Sequence, residues 1–194
     1  MLRNAVVPPS AGGVTHGFLR ANGVFTTVDA PGATFTRTVD INTQGTIVGD
    51  YGVGVAFGTH GFVLTRGIFL TIHFPGASFT RAFGINERGT VVGDCGFSGT
   101  THGFVYTNAG FSSLDFPGAA ATQAFDVGST GSIVGSYFDS ALNLHGFLYE
   151  QGAFAAIDVP GASRTQAIGI NAPGLIVGTY VDATPRRRGF LRIP

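Results

Sequence analysis

The sequence predicts an all-β fold, a small β-propeller of four-stranded blades with about 43 residues in each repeat. The tripeptide His-Gly-Phe recurs at intervals of 44, 42 and 43 residues, and a fifth version that begins with Arg follows 43 residues later. Within each unit the apolar residues alternate, or form short β-branched and aromatic runs bounded by Gly, Pro and Asn. This pattern is typical of strands, and no segment shows the 3.6-residue period of a helix.

Three markers define the repeated unit. His-Gly-Phe begins at His16, His60, His102 and His145, with Arg188 in the position of His in the fifth copy. Pro-Gly-Ala begins at Pro31, Pro75, Pro117 and Pro160. A valine that is followed by glycine recurs at Val48, Val92, Val134 and Val177. Because all three markers share one period, a single unit has been copied along the chain.

The predicted strands follow this unit in order. Two strands, at 16–20 and 24–29, precede the first full unit. The second unit shows strands at 81–85, 90–94, 102–106 and 110–116, with turns at 86–89 and 108–110 and a longer link at 95–101. The last three strands fall within 165–193, which brings the total to seventeen.

A single four-stranded sheet cannot cover both of its faces, so successive sheets must stack around a common axis. A parallel β-helix is the weaker alternative because its coils are shorter. Seventeen strands fill neither four nor five blades evenly; five blades are favoured, with incomplete terminal blades, and four is the alternative. Residues 1–15 are expected to form an amino-terminal extension or an extra edge strand, and residues 16–194 a single propeller repeat domain. An incomplete blade leaves an unpaired edge, which favours a homo-oligomer.

Composition removes several classes of function. Eleven basic and eleven acidic residues cancel to a formal net charge of zero, so nothing attracts nucleic acid or an anionic membrane. Every basic residue is Arg, which excludes a P-loop and a Schiff-base lysine. Cys95 is the only cysteine, which excludes an intrachain disulfide and a thiolate zinc cluster. No apolar run could span a bilayer, and the run at 5–7 is too short for a signal-peptide core.

Two copies of the unit carry a family resemblance most clearly. They are Gly84-Ile85-Asn86 with Val91-Val92-Gly93, and Gly169-Ile170-Asn171 with Ile176-Val177-Gly178-Thr179-Tyr180. Over residues 16–194 the repeat resembles the bacterial HAF family of probable extracellular repeat proteins. The departures are Asp126-Val127-Gly128 in place of Gly-Ile-Asn, Cys95 in place of Tyr, His73 in place of Asp, and Arg188 in place of His. The resemblance implies an exported bacterial propeller, extracellular or periplasmic, and implies no reaction.

One ring of polar residues is the candidate ligand site. Its members follow the recurring Thr at the entry to the predicted innermost strand, where a propeller presents its axial mouth; they are Arg37, Arg81, Gln123 and Gln166. Guanidinium and amide N–H groups donate hydrogen bonds to a carbonyl or an anion. The alternative is that these side chains cover blade edges or meet solvent.

A second set of residues is the candidate for a calcium site and a catalytic base. Asp50, Asp94 and Asp139 follow the second strand of successive units, and their carboxylates could bind calcium if the loops meet at one face. Solvated loop residues are the alternative interpretation. His73 occupies the Asp position of three other units, which makes it the candidate general base.

Other repeated polar residues have structural interpretations. The repeated His and the repeated Asp (Asp29, Asp115 and Asp158) are expected to pair through buried hydrogen bonds that lock blade to blade. Asp40-Ile41-Asn42 resembles the start of an EF-hand loop, but Tyr51 stands where the loop needs Glu, so a hairpin turn is expected.

These observations predict an extracellular-type binding or scaffold module that presents its loops and axial mouth to a small molecule, a carbohydrate or a cell-envelope partner. The alternative is a calcium-assisted lactone or ester hydrolase at the propeller axis, with the three aspartates as ligands and His73 as proton acceptor. A third hypothesis is self-assembly through the open edge. Nucleic acid is not an expected partner.

Overall fold

The structure is a computed structural model that describes residues 14–54 and 57–194. These residues form seventeen β-strands and no helix, as the sequence predicts. The strands are β1 Gly17–Ala21, β2 Val24–Val28, β3 Phe35–Ile41, β4 Ile47–Val53, β5 Phe57–Thr65, β6 Ile68–Ile72, β7 Phe79–Ile85, β8 Val91–Phe97, β9 Thr100–Thr107, β10 Gly110–Leu114, β11 Ala121–Val127, β12 Ile133–Phe138, β13 Leu144–Glu150, β14 Ala153–Ile157, β15 Arg164–Ile170, β16 Ile176–Val181 and β17 Arg187–Arg192.

The strands assemble into five antiparallel sheets in which neighbours along the chain are neighbours in space. Three sheets have four strands each, β3 to β6, β7 to β10 and β11 to β14. Among the described residues, the first sheet contains only β1 and β2, and the last contains β15, β16 and β17. This grouping of two, twelve and three strands confirms the predicted division. Residues 1–13 lie outside the described part, including the apolar run at 5–7.

One predicted link is wrong. The sequence was expected to leave the sheet between 95 and 101, but β8 continues to Phe97 and β9 begins at Thr100. A tight turn at Ser98 and Gly99 joins them, and both residues have a positive φ, 48° and 87°. The hairpin needs only two residues because a turn with two left-handed residues matches the twist of the flanking strands.

The sheets pack face to face along the chain, and a valine from one sheet enters the core of the next. Val48, Val92 and Val134 are all fully buried. Val48, for example, packs in one cluster with Val91 and Phe104 of the following sheet. The same packing recurs around Val92 and around Val134. The predicted stacking of repeated sheets is therefore confirmed for these three interfaces.

Close packing requires a glycine after each of these valines. A Cβ atom at Gly93 would lie 1.9 Å from the carbonyl oxygen of Arg81 and 2.8 Å from the ring of Phe104. Both distances are far inside van der Waals contact, so no other residue fits between the first and third strands. Phe104 itself is fully buried, as are its equivalents Phe62 and Phe147. The Val-Gly pair and the Phe of His-Gly-Phe therefore form one packing unit.

Cys95 is a packed core residue. It is fully buried in the cluster that contains Val91 and Phe104. Burial, with the nearby carboxylates of Asp94 and Asp115, raises the pKa of its thiol to about 12. The thiol is therefore neutral at physiological pH and is a poor nucleophile.

None of the described residues belongs to a helix that is long and apolar enough to cross a membrane.

Candidate functional site

The inner strand of every large sheet carries a β-bulge at the same place. Register shifts lie between Thr38 and Asp40 in β3, and at the equivalent steps of β7, β11 and β15. A bulge leaves one residue unpaired and turns its side chain away from the regular alternation. The residues at these bulges are Val39, Phe83, Phe125 and Ile168. One bulge residue from each of the four strands lines a common space.

This space is a cavity of about 390 Å³, referred to below as the central cavity. Its walls are the four bulge residues together with Asp40, Asp126 and Gln166. The rings of Phe83 and Phe125 approach each other, with their centroids 5.9 Å apart. The cavity therefore combines an aromatic surface with two carboxylates and one amide.

Each carboxylate is held by the backbone of two strands. Asp40 accepts the N–H of Ile41 in its own strand and that of Ile85 in the next inner strand, both at 2.8 Å. Asp126 does the same with Val127 and Ile170, also at 2.8 Å. A carboxylate offers about four lone-pair sites, so two backbone donors leave each side chain able to accept further hydrogen bonds. These bonds also join neighbouring sheets, which fixes the orientation of both groups.

The two carboxyl groups hold protons more tightly than exposed aspartates do. Burial raises the pKa of Asp126 to about 6, and the charge of Asp40 adds to this increase. Burial also raises the pKa of Asp40. The backbone N–H bonds act in the opposite direction by stabilising the charged forms, but burial prevails. The central cavity is thus acidic and changes its charge in the mildly acidic pH range.

The four residues of the predicted polar ring lie in β3, β7, β11 and β15, and three of them are engaged in internal contacts. Arg37 donates to Asp50 from Nε and Nη2 at 2.9 and 2.7 Å. Arg81 donates to Asp94 at 2.8 and 2.5 Å. Gln123 donates to that same carboxylate at 2.6 Å and so joins two sheets.

Gln166 is the member of the predicted ring that lines the central cavity. The other three members bond to Asp50 or Asp94 and do not line it.

The three aspartates predicted to bind calcium do not form one site. Asp50 and Asp94 are buried and paired with guanidinium groups, whereas Asp139 lies in the turn after β12. Asp139 there accepts the N–H groups of Ala141 and Asn143. Within residues 14–54 and 57–194, no three His, Cys, Asp or Glu side chains are grouped so that they could hold a metal ion.

His73 lies beside another histidine rather than in the central cavity. Its Nε2–H donates to the carbonyl of Ala77 at 2.9 Å. Its Nδ1 shares a hydrogen bond with Nδ1 of His60 at 3.0 Å. Partial burial and the neighbouring imidazole lower the pKa of His60. No carboxylate of the predicted calcium set bonds to this pair, so the structure does not assemble the predicted hydrolase site.

The predicted His–Asp pairs exist, but their expected role is wrong. His102 contacts Asp115 at 3.0 Å, and the equivalent distance from His16 to Asp29 is 2.8 Å. Both partners of each pair belong to one hairpin, close to the start of its first strand and the end of its second, and the contacts are exposed. These pairs therefore fasten the outer hairpin of a sheet. The links between neighbouring sheets come instead from Asp40, Asp126 and turn residues such as Asn86, whose amide donates to the carbonyl of Gly128.

Sequence reasoning missed the two cavity carboxylates. Asp40 was assigned to a turn, and Asp126 was noted only as a departure from the repeat. A signal was present, because the equivalent position alternates along the chain as Asp40, Gly84, Asp126 and Gly169. An acidic residue at every second repeat places two like charges across one centre, which a purely structural repeat does not require.

Comparison with solved structures supports this architecture. One match is AofleA from Arthrobotrys oligospora, in a variant with three arginines replaced by alanine. It has a TM-score of 0.59 and 15% sequence identity, over 94% of this chain and 62% of that chain. The fold is β-propeller-like.

Virginiamycin B lyase from Staphylococcus aureus has the second similar structure, a catalytically inactive variant with quinupristin. Its TM-score is 0.51 at 14% identity, over 89% of this chain and 61% of that chain. The chain thus spans about three fifths of the length of each protein. No protein-family model and no curated protein sequence matches it. Identities this low show the fold alone, because one fold hosts many functions.

Proposed function

We propose that this protein is a β-propeller binding module whose central cavity takes a small carbohydrate. The observation that carries the proposal is the combination of two aromatic rings, two anchored carboxylates and one amide around a single cavity of about 390 Å³. Cavities of about 300–1,000 Å³ are typical of small-molecule sites.

The chemistry of the walls matches a sugar better than it matches an anion. Asp40 and Asp126 can accept hydrogen bonds from hydroxyl groups but would repel a negative charge. Phe83 and Phe125 offer an apolar surface to the C–H face of a pyranose ring. Gln166 can donate to a ring or hydroxyl oxygen. A ligand with one apolar face and hydroxyl groups along its edge can therefore contact all five of these side chains favourably.

The test is isothermal titration calorimetry with a panel of neutral mono- and disaccharides. We expect one or more to bind, and we expect Asp126→Asn and Phe125→Ala each to weaken that binding about tenfold. Loss of one charge-assisted hydrogen bond costs roughly 1.5–3 kcal/mol, and 1.4 kcal/mol corresponds to a factor of ten. Asp158→Asn and Phe25→Ala are matched controls outside the cavity, at an exposed aspartate and an exposed phenylalanine. A panel without any binder, or an Asp126→Asn variant that binds as the unaltered protein does, would refute the proposal.

We further propose that the protein belongs to the HAF-type repeat proteins and acts outside the bacterial cytoplasm. The resemblance of its repeats supports this proposal. Immunodetection in fractionated cells of the native source tests it, with the protein expected in the periplasmic or extracellular fraction. Its retention in the cytoplasm would contradict the proposal.

A further inference from the structure

The amide of Gln166 differs from the other three members of the predicted polar ring. Arg37, Arg81 and Gln123 each donate a hydrogen bond to a buried aspartate. The side chain of Gln166 is half-buried and lines the central cavity, and it makes no hydrogen bond to any residue in the described part of the chain. Its N–H groups are therefore free to donate to a ligand.

A serine in the neighbouring sheet accounts for this difference. Where the sheets β7 to β10 and β11 to β14 meet, Gln123 donates to Asp94 of β8 at 2.6 Å. Where the sheets β11 to β14 and β15 to β17 meet, Ser136 of β12 occupies the position of Asp94 in the same register. The hydroxyl oxygen of a serine is one bond closer to the backbone than a carboxylate oxygen, and it does not bond to Gln166.

The packing around these two positions is otherwise equivalent. Val92 of β8 packs in one cluster with Ala124 of β11, and Val134 of β12 packs in the same way with Ala167 of β15. Ser136 lies two residues after Val134 and therefore on the same face of β12, which packs against β15. The hydroxyl of Ser136 is buried and has no hydrogen-bond partner among the residues that the structure describes. It thus faces β15 without holding any side chain of that strand.

Along β15 the cavity wall offers three different kinds of contact. Gln166 supplies an N–H donor, and the bulge residue Ile168 supplies an apolar surface. The carboxylate of Asp126 lies against the same strand, because it accepts the N–H of Ile170. An acetamido group has a carbonyl oxygen, a methyl group and an N–H, which match these three contacts. A single hydroxyl group can satisfy the two polar contacts but leaves Ile168 uncovered, whereas burying a methyl group against it is favourable.

Resting on the carbohydrate function proposed above, we infer that the central cavity selects an N-acetylated amino sugar, because Ser136 leaves Gln166 free to bind the acetamido carbonyl. The N–H of the acetamido group donates to Asp126, and its methyl group packs on Ile168. Ser136 is too deeply buried to touch the ligand, so it acts as a positioning residue.

The test is calorimetric titration at pH 7.5, above the pKa of Asp126, which burial raises to about 6. N-acetylglucosamine and N-acetylgalactosamine are compared with glucose and galactose. We expect at least one acetylated sugar to bind about tenfold more tightly than its parent sugar, which is the effect of about one hydrogen bond. Ser136→Asn adds a side-chain oxygen at the length of Asp94, which captures the amide of Gln166 and should reduce this preference to about twofold.

Gln166→Leu removes the donor at similar size and should reduce the preference equally. The ratio of the two affinities distinguishes positioning from a general loss of structure, which would weaken the binding of both sugars alike. The matched control is Ser113→Asn, the same substitution at an exposed position of β10, which should leave the preference unchanged.

The side-chain amide resonances of Gln166 in the ¹⁵N–¹H NMR spectrum report the capture without any sugar, and they should move downfield in Ser136→Asn. Unmoved resonances, equal binding of acetylated and parent sugars, or a preference that survives in Gln166→Leu overturns this inference but leaves the carbohydrate function standing. Absence of binding by every sugar tested would overturn both.

Discussion

At the scale of single residues, burial decides which polar groups act on a ligand and which support the fold. Asp94 is fully buried and accepts hydrogen bonds from Arg81 and Gln123, so its carboxylate bonds to the protein itself and not to a ligand. Asp126 is only partly buried and lines the central cavity, and its carboxylate keeps lone pairs for a ligand. The sequence shows an aspartate at both positions, but it does not show which of them has an arginine partner.

Asp126 is expected to make the fold less stable as the pH rises from about 4 to about 6. Its pKa in the folded protein is about 6, above the value of ~3.9 for an unfolded chain, so the folded state binds the proton more tightly. The stabilisation is complete below the unfolded pKa and is lost as the pH rises through the folded one. Melting temperatures measured at half-unit steps from pH 4 to 7 should show this fall, and Asp126→Asn should reduce it.

A residual fall is expected in that variant, because the pKa of Asp40 is raised as well. Asp139→Asn is the control, since hydrogen bonds lower the pKa of Asp139 to about 2 and confine its effect to lower pH. The same fall in Asp126→Asn as in the unaltered protein would show that another group titrates.

At the scale of strands, the Val-Gly pair and the bulge have different roles, since one packs the sheets and the other directs a side chain into the cavity. Val92 and Gly93 pack the sheet, because the valine enters the next core and the glycine lets two strands and a ring approach closely. The bulge at Phe83 directs a side chain out of the sheet into the cavity. The first feature could be predicted from the repeat. The second could not, because an extra residue that recurs in every unit leaves the period unchanged.

Gly93→Ala is expected to destabilise the protein strongly. The new methyl group would lie 1.9 Å from the carbonyl oxygen of Arg81, so the strands must separate, and overpacking of this kind costs ~3 kcal/mol. Urea denaturation followed by circular dichroism measures the free energy of unfolding. Gly189→Ala is the matched control, with its nearest atom 3.8 Å away, and should change stability by less than ~1 kcal/mol. Equal losses in the two variants would contradict this account of the glycine.

At the scale of the whole molecule, protection from solvent differs between equivalent positions of the repeat. Val134 is fully buried between two sheets, whereas Val177, its equivalent in the last sheet, is 50% exposed. Leu191 in the same sheet is 58% exposed. In a stacked repeat architecture each unit is stabilised mainly by its neighbours, so a sheet with one covered face opens more easily than one covered on both.

Hydrogen exchange should show this difference directly. Backbone amides in β15 to β17 are expected to exchange at least tenfold faster than those at equivalent positions in β11 to β13, because the last sheet has one uncovered face. Exchange monitored by mass spectrometry on peptides from both sheets measures the effect. Uniform protection across the two sheets would indicate that the face carrying Val177 is covered in solution.

The sequence alone determined the repeat, the strand content and the division into sheets. These follow from spacing and from local chemistry, since the same pattern must satisfy the same contacts in every copy. Only the tertiary structure decided that Asp40 and Asp126 face one cavity. It also decided that Asp50 and Asp94 form ion pairs with arginines, and that His73 pairs with His60. The physical reason is that these partners depend on how one sheet packs against the next and on which side chains a bulge or a turn redirects. Neither the packing nor the redirection changes the repeat period, so neither can be predicted from it.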